Sequence, residues 1–186
     1  MRLRLLTVVL VATVALMGCS GAGTAEEPQE GPSGDTAEPE SPEPSPEPLG
    51  IEAPAGTPVD PAQFPDAYTG HAFLTPTGNI ICWIDDAADQ WGCLVKERTY
   101  AEPAGAEDCL KSFGGGFSSV QGSALMPLCR GGVIAAAETG GGVVLPYGQA
   151  ITVGDVTCGS EEAGVTCLDQ GSGHGLFLSR AAYVVS

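Results

Sequence analysis

Six cysteines spread through residues 82–167, namely Cys82, Cys93, Cys109, Cys129, Cys158 and Cys167, constrain the fold of this chain more than any other feature. An even set of thiols in an exported chain reads as a disulfide framework, although six cysteines formally allow fifteen pairings. Zinc is the rival use and fits poorly, because there is no C-x-x-C pair and the two histidines, His71 and His174, lie far apart in sequence. Turn signals narrow the pairing. Residues 79–84 are a β-rich run, 85–90 a polar connection and 91–95 a second apolar run, which makes a hairpin with a cysteine on each arm. Residues 153–158, the loop 159–164 and the return 165–168 repeat that arrangement. The expected bonds are Cys82–Cys93 and Cys158–Cys167, which leaves Cys109–Cys129 by elimination. Closing loops of about 12, 10 and 21 residues contributes roughly 3 kcal/mol each, about 9 in all, from lost chain entropy. That sum rivals the whole stability of a typical domain, so the reduced domain is expected to be marginal.

The rest of the chain is punctuated in the same β style. Thr75-Pro76-Thr77-Gly78 and Leu145-Pro146-Tyr147-Gly148 each place proline second and glycine fourth, which suits a type I turn leading into a left-handed glycine. Strands are expected near residues 70–74, 79–84, 91–95, 116–121, 133–138, 142–145, 150–158, 164–169 and 175–184. The glycine clusters at 114–116, 131–132 and 140–142 are expected as loops, and residues 102–112 as a helical turn or two. Short strands at near-regular spacing predict an all-β fold, a small disulfide-stapled sandwich or barrel of short antiparallel strands. Residues 66–186 are one domain's worth of chain.

Two segments of another kind precede that domain. Residues 5–17 are an apolar run of 13 residues behind Met1-Arg2-Leu3-Arg4, whereas crossing the hydrocarbon core takes about 20. Basic residues, a short apolar region and small residues at its end mark a processed secretory signal, so residues 1–18 are left out of the fold. Leu16-Met17-Gly18-Cys19 resembles a bacterial lipoprotein lipobox. In that family the bond before the cysteine is cut, the thiol carries a diacylglyceryl group and the new N-terminus is acylated with a palmitate-type chain. The resemblance makes Cys19 the lipidation site. Two or three acyl chains anchor stably, at about 0.8 kcal/mol per buried methylene, which puts the mature protein on the outer face of the membrane.

Residues 20–65 hold eleven prolines, ten acidic residues and no lysine or arginine. Such a segment has almost nothing to bury and is expected to be a disordered linker biased toward polyproline II. At about 3.1 Å per residue it would reach roughly 140 Å when extended, and about 40 Å as a coil, so either form clears the headgroups. A Pro-rich ligand for an SH3-like groove is disfavoured, because the proline run lacks the cationic spacing.

The whole chain carries a net charge of −16, and residues 66–186 set five lysines and arginines against thirteen aspartates and glutamates. Nucleic acid and anionic lipid surfaces both call for basic patches, so neither is an expected partner. The expected partners are the membrane, through the lipid anchor, and a cell-wall polymer or another envelope protein.

Four segments carry a further resemblance. They are Phe73-Leu74-Thr75-Pro76-Thr77-Gly78-Asn79-Ile80-Ile81-Cys82, Leu145-Pro146-Tyr147-Gly148, Gly164-Val165-Thr166-Cys167, and the run from Gly173-His174-Gly175 through Ser179-Arg180 to Tyr183. In this order they resemble a domain of unknown function found in secreted proteins and lipoproteins of actinobacteria, and they span nearly all of residues 72–184. The chain departs from that family around Cys129, where Met126-Pro127-Leu128-Cys129-Arg130-Gly131-Gly132 replaces an F-x-C-x-G-D-T pattern. The resemblance implies an extracytoplasmic, disulfide-bearing β domain and supplies no activity.

Candidate chemistry is sparse. His174, between glycines, would be a general base if Ser172 or Ser179 were the nucleophile and Asp169 the orienting carboxylate, the arrangement of a small envelope hydrolase. A histidine flanked by glycines more simply marks a tight turn, so no catalytic residue is assigned. No G-x-S-x-G, H-E-x-x-H or phosphate-cradling loop occurs. Asp85, Asp86 and Asp89 lack the alternation and central glycine of an EF-type loop, and neither a metal nor a cofactor is expected. Arg180 is a candidate grip for a ligand carboxylate, with an internal acidic partner the favoured use given the excess of acids. Tyr147, Arg180 and His174 are the candidate binding residues. Trp83, Trp91, Phe177 and Tyr183 are either a sugar-stacking face or, more simply, core.

Overall fold

In the computed structural model the described residues are 50–186. The expected signal segment, Cys19 and the expected linker up to residue 49 lie outside the described residues.

Thirteen strands follow one another: β1 (Thr57–Val59), β2 (Pro65–Asp66), β3 (Gly70–Leu74), β4 (Ile80–Asp85), β5 (Gln90–Val95), β6 (Phe113–Val120), β7 (Met126–Cys129), β8 (Val143–Val144), β9 (Gln149–Val153), β10 (Val156–Glu161), β11 (Gly164–Asp169), β12 (Gly175–Leu178) and β13 (Tyr183–Val185). They form two sheets. One runs β1-β9-β10-β11-β12-β13, and the other β2-β3-β4-β5-β6-β7 with β8 beside β3. Pairing is antiparallel except for two short parallel additions, β1 on β9 and β8 on β3. The fold is therefore an all-β sandwich, built as the turn chemistry predicts from hairpins between neighbours in sequence.

Alternation along the strands creates the core. Ile80, Cys82 and Ile84 of β4 with Trp91, Cys93 and Val95 of β5 meet Ile151, Cys158, Val165, Cys167, Leu176 and Leu178 of the facing sheet in one buried cluster. The intervening residues Ile81, Trp83 and Leu94 form a second cluster with Leu128, Ala135 and Ala137. Residues 134–137 thus cover the outer face of the second sheet, which explains why β4 and β5 read as unbroken apolar runs rather than alternating ones.

All three expected disulfides are present. Cys82 lies directly opposite Cys93, and Cys158 opposite Cys167. Each pair has its Cα atoms 4.0 Å apart, the close spacing of a non-hydrogen-bonded cross-strand pair. Across the sandwich, Cys93 Sγ sits 3.7 Å from Cys167 Sγ, so the two staples meet in the middle of the core. Cys109, just after a single 3₁₀ turn at Ala106–Asp108, ties that turn to the end of β7.

Several expectations need correction. The folded unit starts before residue 66: β1 adds to β9, and Phe64 is buried in the main core. The 114–116 glycines are strand rather than loop. They lie inside β6, next to a register shift between Phe113 and Phe117, and a Cβ on Gly116 would collide with the Cys93 carbonyl. Glycine is needed there for close backbone approach and a bulge. Residues 133–138 form no strand. Ala136–Thr139 is a 3₁₀ turn, held by Glu138 Oε1 accepting from the Ile134 and Ala135 amides at 2.6 and 3.2 Å. The run 150–158 breaks into a hairpin at Gly154-Asp155, where Gly154 has φ 55°. The run 175–184 breaks at Ser179, whose hydroxyl oxygen accepts from the Ala181 and Ala182 amides. Strand β7 escapes a sequence reading because it contains Pro127. It is the edge strand of its sheet, where a missing N–H is tolerated.

Candidate functional site

Up-and-down connectivity sends the β3–β4, β10–β11 and β12–β13 connections to one end of the sandwich, together with the exit of β5 and the entry to β9. A cleft of about 570 Å³ opens among them. Most polar groups of these connections are spent on holding their shape. Thr75 Oγ1 accepts from the Ile80 amide at 3.2 Å and shares a hydrogen bond with Thr77 Oγ1. The Asn79 side chain exchanges two hydrogen bonds with the Glu97 backbone, at 2.9 and 3.1 Å. The Arg180 carbonyl accepts from the Thr99 amide at 2.8 Å, which pins the β12–β13 turn.

Six cleft-lining side chains are not spent in this way: Lys96, Glu97, Tyr147, Glu161, Glu162 and Arg180. All are exposed. Among the described residues the one salt bridge is Arg98–Glu102 at 2.9 Å, so the internal acidic partner expected for Arg180 is not there. Arg98 shows the contrast. Its guanidinium also lies over the Phe113 ring at 4.9 Å and donates to the Tyr100 carbonyl at 2.8 Å, a structural use of the side chain. Tyr100 next to it donates to the Gly115 carbonyl at 2.9 Å. Burial pushes its hydroxyl up to about 12, with the Arg98 charge working against the shift.

Tyr147 and Arg180 are thus brought together, while His174 is not with them. It sits at the opposite end of the sandwich, its Nδ1 3.0 Å from the Ser186 carbonyl. The hydrolase arrangement is not assembled either. The Ser172 hydroxyl donates to Asp169 Oδ2 at 2.7 Å, and Asp169 Oδ1 accepts from the Gly171 and Ser172 amides. Ser179 belongs to the other end of the molecule. Burial works to raise the Asp169 carboxyl, but the Ser172 hydroxyl, the two amides and the nearby His174 together hold it below the ordinary value.

At the His174 end, Asp85, Asp86 and Asp89 with Asp155 and Asp169 line a smaller cleft of about 330 Å³. Asp85 caps its own turn by accepting from the Ala88 amide, and Asp89 adopts the left-handed conformation. Among the described residues, the set whose ligand atoms lie within 4.8 Å of one another is Cys82, Cys93 and Cys167, and all three sulfurs are already in disulfides. The aromatic residues are mainly core: Trp83 and Trp91 are buried, and Tyr183 packs on Phe117 with ring centres 4.7 Å apart.

Lys96, Glu97, Glu161 and Glu162 escape notice in the sequence. The signal that marks them is positional, a charged residue at the point where an apolar strand ends. No protein-family model, no curated protein and no solved structure matches the chain.

Proposed function

We propose that this protein is a lipoprotein held on the outer face of a bacterial membrane through Cys19, and that its sandwich is a non-enzymatic binding module of the cell envelope. The proposal includes membership of the actinobacterial family of unknown function whose motifs it resembles. The observation that carries the binding reading is the cleft, where segments distant in sequence converge on six unpaired polar side chains over rigidly held turns. All four motif segments behind the resemblance contribute to that one cleft, through residues 75–80, Tyr147, Gly164 and residues 179–181. Concave sites with a few convergent polar groups are where small ligands and polymer ends bind.

The test is retention on isolated cell envelopes of the purified chain from residue 20 onward, which carries no acyl chain and is held only through what the domain binds. An Arg180→Ala, Tyr147→Ala double variant should lose at least tenfold in retention with an unchanged melting temperature, since both side chains are exposed. Equal retention would overturn the assignment of the cleft. For the anchor, Cys19→Ala should move the protein from the detergent phase into the medium or leave it on an uncleaved signal, and unchanged partitioning of a processed protein counts against lipidation.

A further inference from the structure

We infer that the cleft selects a small zwitterion, a molecule with a free carboxylate and a free ammonium such as an amino acid or a short peptide; this deepens the binding reading above and rests on it. Two cations, Lys96 and Arg180, and three carboxylates, Glu97, Glu161 and Glu162, line the same cleft. Groups of opposite sign share the space, yet none of them is within salt-bridge distance of another. Lys96 and Glu97 are neighbours at the exit of β5, whereas Arg180 and the Glu161-Glu162 pair stand on the β12–β13 and β10–β11 connections. The backbone holds these segments through Lys96 N donating to the Asn79 carbonyl at 2.9 Å and Thr99 N to the Arg180 carbonyl at 2.8 Å.

A ligand carrying both signs pairs with both sets. A simple anion does not: it gains Lys96 and Arg180 but meets three carboxylates beside them, in a domain with fifteen acids against five bases over residues 50–186. That field repels net negative charge at long range. A simple cation gains the carboxylates and meets Arg180 and Lys96. A zwitterion has no net charge for the field to act on, and its carboxylate matches the fork of the Arg180 guanidinium. Tyr147, 37 % exposed, adds a ring face and a hydroxyl at the rim. A tripeptide, roughly 10 Å long when extended, fits within the volume.

The experiment is calorimetric titration of the full mature chain with tri-alanine, its N-acetyl form and its C-terminal amide, each repeated with Arg180→Ala. Free tri-alanine should bind, with each blocked form at least tenfold weaker. Arg180→Ala should weaken free tri-alanine at least tenfold while leaving the amide, which has no carboxylate to lose, unchanged. N-acetyl tri-alanine binding as well as the free peptide would overturn the inference in favour of a simple anion. No binding of tri-alanine while envelope retention still depends on Arg180 and Tyr147 would overturn the zwitterion and leave the binding module standing. Envelope retention indifferent to those two residues would remove the binding reading itself.

Discussion

Removing the disulfides one at a time should reverse the order that loop length predicts. The pairs close sequence separations of 11 for Cys82–Cys93, 9 for Cys158–Cys167 and 20 for Cys109–Cys129. Chain entropy alone assigns them about 2.8, 2.6 and 3.3 kcal/mol, which makes the outer staple the most valuable. Burial says otherwise. Cys82 and Cys93 are 0 % exposed and their sulfurs sit against the facing disulfide, whereas Cys129 is exposed and Cys109 only half-buried. Replacing two central sulfurs by alanine leaves two methyl-sized voids, about 1 kcal/mol each. The Cys82→Ala, Cys93→Ala variant should therefore lose about 5 kcal/mol and the Cys109→Ala, Cys129→Ala variant about 3. Guanidinium denaturation of the mature chain, with m-values compared, measures both. Cys82→Val with Cys93→Val refills the space and should regain about 2 kcal/mol of the loss, which keeps the comparison available if the alanine pair does not fold. A Cys109–Cys129 deletion that costs more than the central one would refute the packing argument.

Three further outcomes follow from particular contacts. Gly116→Ala would put a Cβ against the Cys93 carbonyl and 2.6 Å from Leu94 Cα, so it should destabilise by about 1–3 kcal/mol, while Gly131→Ala, with nothing within 4 Å, should stay within about 0.5; equal melting temperatures for the two would remove the close-approach account of β6. Asp169, held below its ordinary value of 3.8, contributes stability that is fully present above that value and is lost as pH falls through the lowered folded one; urea midpoints from pH 6 to 2 should slope less for Asp169→Asn, and identical slopes would show that its hydrogen bonds do not favour the charged form. His174→Ala removes the contact to the Ser186 carbonyl and should cost about 1 kcal/mol with envelope retention intact; loss of retention at an unchanged melting temperature would make His174 functional.

What could be read from the sequence is what nearby residues decide. Cysteines on the two arms of one hairpin, joined by six polar residues or fewer, have little choice of partner, and Thr75-Pro76-Thr77-Gly78 turns because of the dihedral angles its own residues prefer. A local signal misleads where it has two physical meanings. Glycines 114–116 look like a loop, but in a strand they admit a neighbouring backbone; Gly154-Asp155 is a two-residue hairpin turn hidden in an apolar run. Other features have no local signal at all. Thr57–Val59 is strand only because β9 offers it an edge, and Ala135 and Ala137 are buried only because Ile81, Trp83 and Leu94 need cover. The cleft belongs to this second kind. Arg180 is named in the sequence, but its freedom from an acidic partner and its company with Lys96, Tyr147 and Glu161 depend on how two sheets stack and on which end each connection falls. Turn and hairpin preferences act over a few bonds and are written in the chain, whereas charges brought together across a sandwich are set by the packing of strands far apart in sequence.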